Sequence, residues 1–260
     1  MRWYKVSALL WQDLRIMRRT KFRFVELVYL PIVTVLIWGF FALFARQFAA
    51  ETGVILLIAN IFWSFSYGVQ SSVNQSMNMD VWSESLKQLF ASGISKFEYL
   101  LARMLSSLVS EALVLVALLA ISVVAFGIGA IVERIELLAL LGIAVMLASL
   151  GLACFVAMLF FRLGREYGFL AWTANTLFIF LSAPYFPASM FPEPLAALSI
   201  VMPYTAVFEA IRASFSGGAF PAELAGRALL TGLAYLVAFV PLYSLSFERA
   251  RRVGALARMG

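Results

Sequence analysis

Long apolar runs alternate with short polar segments along most of the chain. Six of these runs have the length of a bilayer crossing, for which a helix needs about 20 apolar residues. Each run predicts a helix, because backbone N–H and C=O groups in hydrocarbon must bond to one another. The predicted spans are residues 24–45, 54–77, 98–128, 137–161, 168–186 and 224–247.

The composition supports a membrane protein. Hydrophobic residues make up 63% of the chain and charged residues only 13%, with a mean hydropathy of +0.93. A soluble domain carries about 25% charged residues. The runs are apolar on all sides, whereas the strands of a membrane barrel alternate. The sequence therefore predicts an all-α integral membrane protein with one domain over 1–260: an interfacial helix at 1–23, a six-span core at 24–247 and a basic tail at 248–260.

Basic residues indicate the orientation in the membrane. With six spans and both termini on one side, sixteen of the twenty Lys and Arg residues lie on that side. Cytoplasmic loops carry an excess of Lys and Arg, so both termini are predicted to be cytoplasmic, in a cell or inner membrane. The net charge of +6 follows from this topology and from attraction to anionic lipid, and it does not indicate a nucleic-acid partner.

The N-terminal segment is amphipathic. Its apolar residues recur at helical spacing and predict a helix that lies along the membrane surface. This helix could serve as a membrane anchor or as a collar against a partner, and the pattern alone favours neither. The apolar positions are Trp3, Val6, Leu10, Leu14 and Met17.

A short amphipathic segment separates the second and third runs. Asp80 is placed to cap a helix over residues 81–92, and Gly93 to end that helix in a left-handed conformation. Ser95 and Glu98 form an S-x-x-E capping box, which predicts the start of the third span. The short helix is therefore expected on the cytoplasmic surface. Its apolar positions are Trp82, Leu86, Leu89 and Phe90, and its polar positions include Glu84 and Lys87.

A polar stripe follows the second predicted span. Its members are Asn60, Ser64, Tyr67, Ser71, Asn74 and Asn78, spaced four, three, four, three and four apart. An amide facing lipid is costly, so the stripe should face protein or water. It forms either one wall of a substrate pathway or a set of hydrogen bonds between packed helices. Asn175 and Thr176 give the fifth span a weaker version of the same pattern.

Two further features carry polar chemistry. Glu111 is an acidic residue well inside the third apolar run, and a structural ion pair is favoured over a proton relay. Residues 184–221 hold six of the eight prolines and predict re-entrant or extracytoplasmic short helices. They could gate the outer mouth or only cover a dimer seam. The candidate gate residues are Pro187, Pro192, Pro194, Glu209 and Arg212, the last two spaced to form an ion pair.

Two stretches resemble the ABC-2 family of ABC-transporter permeases. One is "SESLKQLFASGISKFEYLLARML", residues 83–105, and the other is "LSAPYFPASMFPEPLAALSIVMPYTAVFEAIR", residues 181–212. The number of spans, the N-terminal helix and the length are also similar. One departure is Ser182-Ala183-Pro184, where many members have Ser-Gly followed by bulky residues.

The resemblance implies a transport subunit and not an enzyme. Two permease copies, identical or related, would pair to form an exporter, driven by two separate ATPase subunits that bind ATP and Mg²⁺. The helix at 81–92 would dock on the ATPase, with Trp82, Leu86, Leu89 and Phe90 packing and Glu84 and Lys87 orienting it. Spans two and five would line the route, with Asn60, Ser64, Tyr67, Ser71, Asn74, Asn175 and Thr176 as candidates.

The remaining chemistry excludes several functions. The chain has no histidine, and Cys154 is its single cysteine, so it lacks a Cys or His metal cluster and any Ser-His or Cys-His pair. It lacks the G-x-x-x-x-G-K phosphate loop, so no cofactor is expected on this chain. The alternative is a secondary transporter or channel-like protein without an ATPase partner. The cargo stays open among glycans, drugs, peptides and other amphiphiles.

Overall fold

The structure is a computed structural model that describes residues 1–19, 25–45 and 50–253. All regular structure in these residues is helical. The α-helices are α1 (Trp3–Arg19), α2 (Leu30–Ala45), α3 (Ala50–Trp82), α4 (Ser85–Ala91), α5 (Lys96–Phe126), α6 (Ala130–Glu133), α7 (Ile135–Leu163), α8 (Leu170–Leu181), α9 (Glu193–Ser199), α10 (Thr205–Phe215) and α11 (Ala222–Arg252).

Four of the described helices are long and apolar enough to cross a membrane: α3, α5, α7 and α11. The protein is therefore an all-helical, multi-pass membrane protein. The helices at the other two predicted spans are shorter. Helix α2 has 16 residues and follows a π-helical segment at Val25–Tyr29, and α8 has 12 residues and follows a 3-10 segment at Arg165–Phe169.

Several helix ends differ from the approximate ends of the predicted runs. The second span was predicted to end at residue 77, but α3 continues to Trp82. The fifth was predicted to reach residue 186, but α8 ends at Leu181, because the chain turns through Ala183 at a φ of +50°. Helix α11 continues through Pro241 to Arg252 and so takes in the start of the predicted tail, of which residues 254–260 lie outside the described part.

Helix α7 is the centre of the bundle. It packs along α11 and also against α3, and most of its side chains are buried. Two glycines bring α7 and α11 close together. A Cβ on Gly151 would lie 2.7 Å from the backbone nitrogen of Leu236, and a Cβ on Gly232 would lie 2.6 Å from the carbonyl oxygen of Ala144. Small residues at such contacts let helix backbones pack tightly in a membrane.

The N-terminal helix α1 packs against α5 through Val6 and Leu9, which are buried. Trp3, Tyr4 and Trp11 are exposed, although Trp3 was assigned to the apolar face of the helix. Exposed aromatic side chains are typical of the headgroup region of a membrane. Residues 20–23 of the predicted interfacial segment and residue 24 of the first predicted span lie outside the described part.

Candidate transport cavity and cytoplasmic coupling region

The polar stripe of α3 faces a cavity of about 370 Å³. Asn60, Ser64, Tyr67 and Ser71 all line it, as predicted from their spacing. The lining residues of α3 extend from Asn60 to Gln75, about 22 Å along a helix that rises about 1.5 Å per residue. The remaining lining residues are Leu30, Pro31, Thr34, Trp63, Gly68, Ser72, Glu111 and Tyr185.

The other amides of α3 form hydrogen bonds between packed helices. Gln70 Nε2 donates to Asn74 Oδ1 (2.6 Å), and Asn74 Nδ2 donates to the carbonyl oxygen of Ala153 in α7 (2.8 Å). Asn78 Nδ2 donates to the carbonyl oxygen of Gly168 (3.1 Å). Asn74 was assigned to the pathway wall, but it does not line this cavity, because its position on the helix turns it towards α7.

The fifth-span candidates also lie away from the cavity. Asn175 is fully buried, donates through Nδ2 to Ser66 Oγ (2.9 Å) and accepts at Oδ1 from Tyr204 Oη (2.9 Å). Tyr204 Oη also lies 2.9 Å from Ser149 Oγ. This network joins α3, α7, α8 and the start of α10. Thr176 is exposed on the outside of the described chain.

Two of the lining residues, Trp63 and Tyr185, belong to a stack of aromatic rings. The ring of Tyr185 stacks on Trp38 at 5.2 Å between centroids and on Trp63 at 5.4 Å. Asn60 Nδ2 donates to Tyr185 Oη (3.2 Å), while the buried Oδ1 of Asn60 has no hydrogen-bond partner among the described residues. Tyr185 was not predicted as a site residue. The available signal was an aromatic residue directly after the break at Ala183-Pro184.

Glu111 lies in the cavity wall. It belongs to α5, is buried, and is the only charged side chain among the described lining residues. Its carboxylate fits against Gly68 of α3, where a Cβ would come within 2.1 Å of Oε2. Glycine at position 68 therefore gives the carboxylate its place beside the α3 backbone.

Arg212 of α10 holds the chain that follows α8. Its Nη1 donates to the carbonyl oxygens of Ala183 (2.9 Å) and Pro184 (3.3 Å). The predicted ion pair with Glu209 is not among the ion pairs of the described residues, in which Arg212 binds these two carbonyls. Burial lowers the pKa of Arg212. Pro187 and Pro192 precede a 3-10 segment and α9, and Pro194 lies in the first turn of α9.

The short helix α4 differs from its prediction in its start. Asp80 and Trp82 belong to the last turn of α3, and α4 begins at Ser85 after Glu84, which has a φ of +58°. Asp80 is therefore not an N-cap. Its carboxylate accepts hydrogen bonds from Tyr99 and Arg103 of α5. These donors lie 19 and 23 residues further along the chain, so a local capping pattern does not predict them.

The apolar side of α4 faces the rest of the chain. Leu86 is 3% exposed, and Leu89 and Phe90 pack against the hydrophobic core. The ring of Phe90 lies 5.4 Å from that of Tyr99 and 4.8 Å from that of Phe247 in α11. The expectation that these three residues pack on a partner therefore does not fit their burial. Among the predicted docking residues, the exposed ones are Trp82, Glu84 and Lys87.

Arg103 joins three helices beneath the bundle. It is 2% exposed and forms ion pairs with Asp13 of α1 and Asp80 of α3. Tyr99 Oη donates to Asp80 Oδ2 (2.6 Å), and Ser106 Oγ donates to Asp13 Oδ2 (2.9 Å). A buried charge needs partners of this kind, and removing one leaves the others desolvated and uncompensated.

The N-terminal helix also holds the turn after α4. Lys5 Nζ donates to the carbonyl oxygens of Ser92 (3.1 Å) and Gly93 (2.7 Å), and Gly93 has the predicted left-handed conformation, with a φ of +77°. The predicted capping box is confirmed, since Ser95 and Glu98 exchange both hydrogen bonds. The other oxygen of the Glu98 carboxylate accepts from the backbone nitrogen of Arg2 (2.6 Å).

These features define a class: a multi-pass membrane protein with a cavity between its helices and a short helix packed against the bundle. No group of three His, Cys, Asp or Glu residues in the described part could hold a metal ion. The sequence model of the ABC-2 type transporter family matches residues 4–216. The chain therefore belongs to the ABC-2 type transporter family. None of the curated proteins compared with the chain matches it.

Proposed function

We propose that this chain is the transmembrane subunit of an ATP-driven exporter in the cell or inner membrane. It pairs with a second permease, identical or related, and two separate ATPase subunits bind on the cytoplasmic side and supply ATP and Mg²⁺. Membership of the family supports a transport role. The observation that carries the proposal is the exposed surface formed by Trp82, Glu84 and Lys87 at the end of α3 and the start of α4. Buried contacts of α4 fix this surface to the bundle.

The proposed topology has six spans. Residues 25–45 and 165–181 complete the four long helices as the first and fifth spans. At about 1.5 Å per residue they reach about 31 Å and 26 Å, close to the thickness of the hydrocarbon core. An even number of spans puts both termini on the same side, and the excess of Lys and Arg makes that side cytoplasmic.

Motion of the ATPase reaches the spans through buried contacts. A partner pressing on Trp82, Glu84 and Lys87 pushes on α4, whose Leu86 and Phe90 are packed against the bundle. Arg103 ties the end of α3 to α5 and α1. Because α3 and α5 both contribute to the cavity, a rotation of their cytoplasmic ends changes its shape.

The cavity is the proposed start of the export route. In the six-span topology its Gln75 end is cytoplasmic and its Asn60 end is extracytoplasmic. The stacked rings of Trp38, Tyr185 and Trp63 close the outer end. Arg212 positions the chain that carries Tyr185 by binding the two carbonyls just before it. The predicted gate prolines Pro187, Pro192 and Pro194 follow directly and shape the adjoining outer segment.

The docking role of the exposed residues is tested by substitution. Trp82→Ala combined with Lys87→Glu should abolish association with the ATPase that co-purifies with the wild-type chain from gentle detergent. Trp11→Ala is the matched control, since Trp11 and Trp82 are exposed to nearly the same extent, 65% and 63%. If the double variant retains the ATPase at the wild-type ratio, docking on this surface is wrong.

A further inference from the structure

We propose that the exposed face of α1 docks on the headgroups of an anionic bilayer. This face consists of Tyr4, Ala8, Trp11, Arg15 and Arg19, which are all exposed. Their spacing of four, three, four and four places them along one side of the helix. Docking on lipid is independent of the proposed function, since it needs neither an ATPase nor a cargo.

The opposite face of α1 packs on the protein. Val6 and Leu9 are buried where α1 meets α5, and Asp13 forms an ion pair with Arg103 of α5. With about 3.6 residues per turn, these positions lie half a turn away from the exposed face. The bundle therefore uses Val6, which the sequence assigned to the membrane surface, and a different face of α1 is left for lipid.

The contacts of α1 place it at one end of a membrane-crossing helix. The backbone nitrogen of Arg2 donates to Glu98, and Asp13 pairs with Arg103, so α1 lies beside the first turns of α5. Helix α5 has 31 residues and is about 46 Å long, whereas the hydrocarbon core is about 30 Å thick. Its charged first turns therefore extend beyond the hydrocarbon, and α1 lies beside them at the depth of the headgroups.

The side chains of the exposed face fit anionic headgroups. Tyr and Trp combine an apolar ring with a polar group and are enriched at membrane–water interfaces. An Arg guanidinium binds phosphate through two parallel hydrogen bonds. Asp13 is the only acidic residue of α1 and is paired with Arg103, so the exposed face carries bases without an acid. This charge favours anionic over zwitterionic lipid.

The accessibility of an introduced cysteine tests the docking. Ala8→Cys places a thiol in the middle of the exposed face, and the native Cys154 is buried. The chain is reconstituted alone in nanodiscs of phosphatidylcholine, with or without phosphatidylglycerol, and its reaction with a neutral maleimide is timed. Phosphatidylglycerol should slow the reaction at least about fivefold, and high salt should reverse this. Gln88→Cys, an exposed position on α4, is the control and should react at the same rate in both lipids.

Two pairs of substitutions in the Ala8→Cys chain assign the effect to the bases of α1. Arg15→Gln with Arg19→Gln should remove most of the slowing. Arg249→Gln with Arg252→Gln takes the same charge from exposed positions at the end of α11 and should leave the slowing in place. All four substitutions are at exposed positions, so the thermal unfolding midpoints in detergent should stay close to that of the parent chain.

Any of three results would overturn the inference: equal rates for Ala8→Cys in the two lipids, an equal slowing of Gln88→Cys, or a slowing that survives Arg15→Gln with Arg19→Gln. Protection of Ala8→Cys that appears only after an ATPase is added would assign the face to an acidic protein surface, and would also overturn it. Because the chain is alone with lipid in the first assay, its failure leaves the exporter proposal untouched. Loss of the exporter proposal would likewise leave lipid docking in place.

Discussion

Lys5 in the N-terminal helix donates a 2.7 Å hydrogen bond to the carbonyl oxygen of Gly93, 88 residues further along the chain. This bond fixes the turn after the short helix α4 to α1. The sequence alone is compatible with two roles for α1, a membrane anchor or a collar against a partner. The contact supports the collar role. Lys5 holds the turn at Ser92 and Gly93, and this turn links the short helix α4 to α5, so a force applied to α4 passes through it.

Loss of the Lys5 bond should uncouple ATP hydrolysis from transport. Lys5→Met keeps the apolar stem and leaves the two carbonyls of the turn without this donor, so the α4 turn loosens while the bundle stays folded. We expect normal membrane insertion and reduced transport per ATP hydrolysed in proteoliposomes. Arg15→Met, an exposed change on the same helix, is the control. Unchanged coupling in Lys5→Met would contradict the collar role.

The Arg103 cluster should dominate the stability of the cytoplasmic side. Arg103→Leu leaves the carboxylates of Asp13 and Asp80 without their shared cation, a change that costs about 3–5 kcal/mol for a buried pair. Asp80→Asn removes one charge and keeps the pair with Asp13, so its cost should be smaller. Thermal unfolding in detergent gives the order: wild type, then Asp80→Asn, then Arg103→Leu. The reverse order for the two variants would show that Asp80 is the central group.

The cavity should matter for transport more than for folding. Asn60→Leu with Ser71→Leu removes two polar groups from the wall and fills part of the space with apolar atoms. We expect normal expression and ATPase association but impaired export. Thr176→Leu, on the exposed side of α8, is the control. Wild-type transport by the double variant would reduce the stripe to helix packing.

The contact between α7 and α11 depends on the absence of side chains at two positions. Gly151→Leu drives a side chain into the backbone of Tyr235 and Leu236, which should cost about 1–3 kcal/mol or more through overpacking. Gly226→Leu is the control, because Gly226 lies in α11, the partner helix of this contact, and has open space around it. Its loss of stability should be much smaller. The midpoint of thermal unfolding compares them, and equal midpoints would mean that the close approach carries no stability.

Local patterns in the sequence predicted local structure well. The capping box at Ser95 and Glu98 and the left-handed Gly93 are confirmed, because each depends on a few neighbouring residues. The periodicity of the α3 stripe also identified the cavity wall from Asn60 to Ser71. Periodicity alone did not show that Asn74 faces α7 and not the cavity. Both faces of α3 carry polar side chains, and only the positions of the neighbouring helices show which of these side chains line the cavity.

Long-range partners could not be predicted. Asp80 has the local appearance of a helix cap, but a buried ion pair with Arg103 outweighs capping and lets α3 run on to Trp82. Arg212 is correctly spaced for Glu209, but two backbone carbonyls lie within its reach. Tyr185 joins the site only because the break after α8 brings its ring between Trp38 and Trp63.

Co-purification of the wild-type chain from its native membrane tests the central claim most directly. The protein is extracted in mild detergent, captured by a C-terminal tag, and analysed by mass spectrometry and by native mass measurement of the complex. The account predicts an ATPase subunit with a phosphate-binding loop, in an amount equal to this chain and in a complex with two permeases. Capture of the intact chain without any ATPase would contradict it and favour a secondary transporter in which Glu111 has the central role.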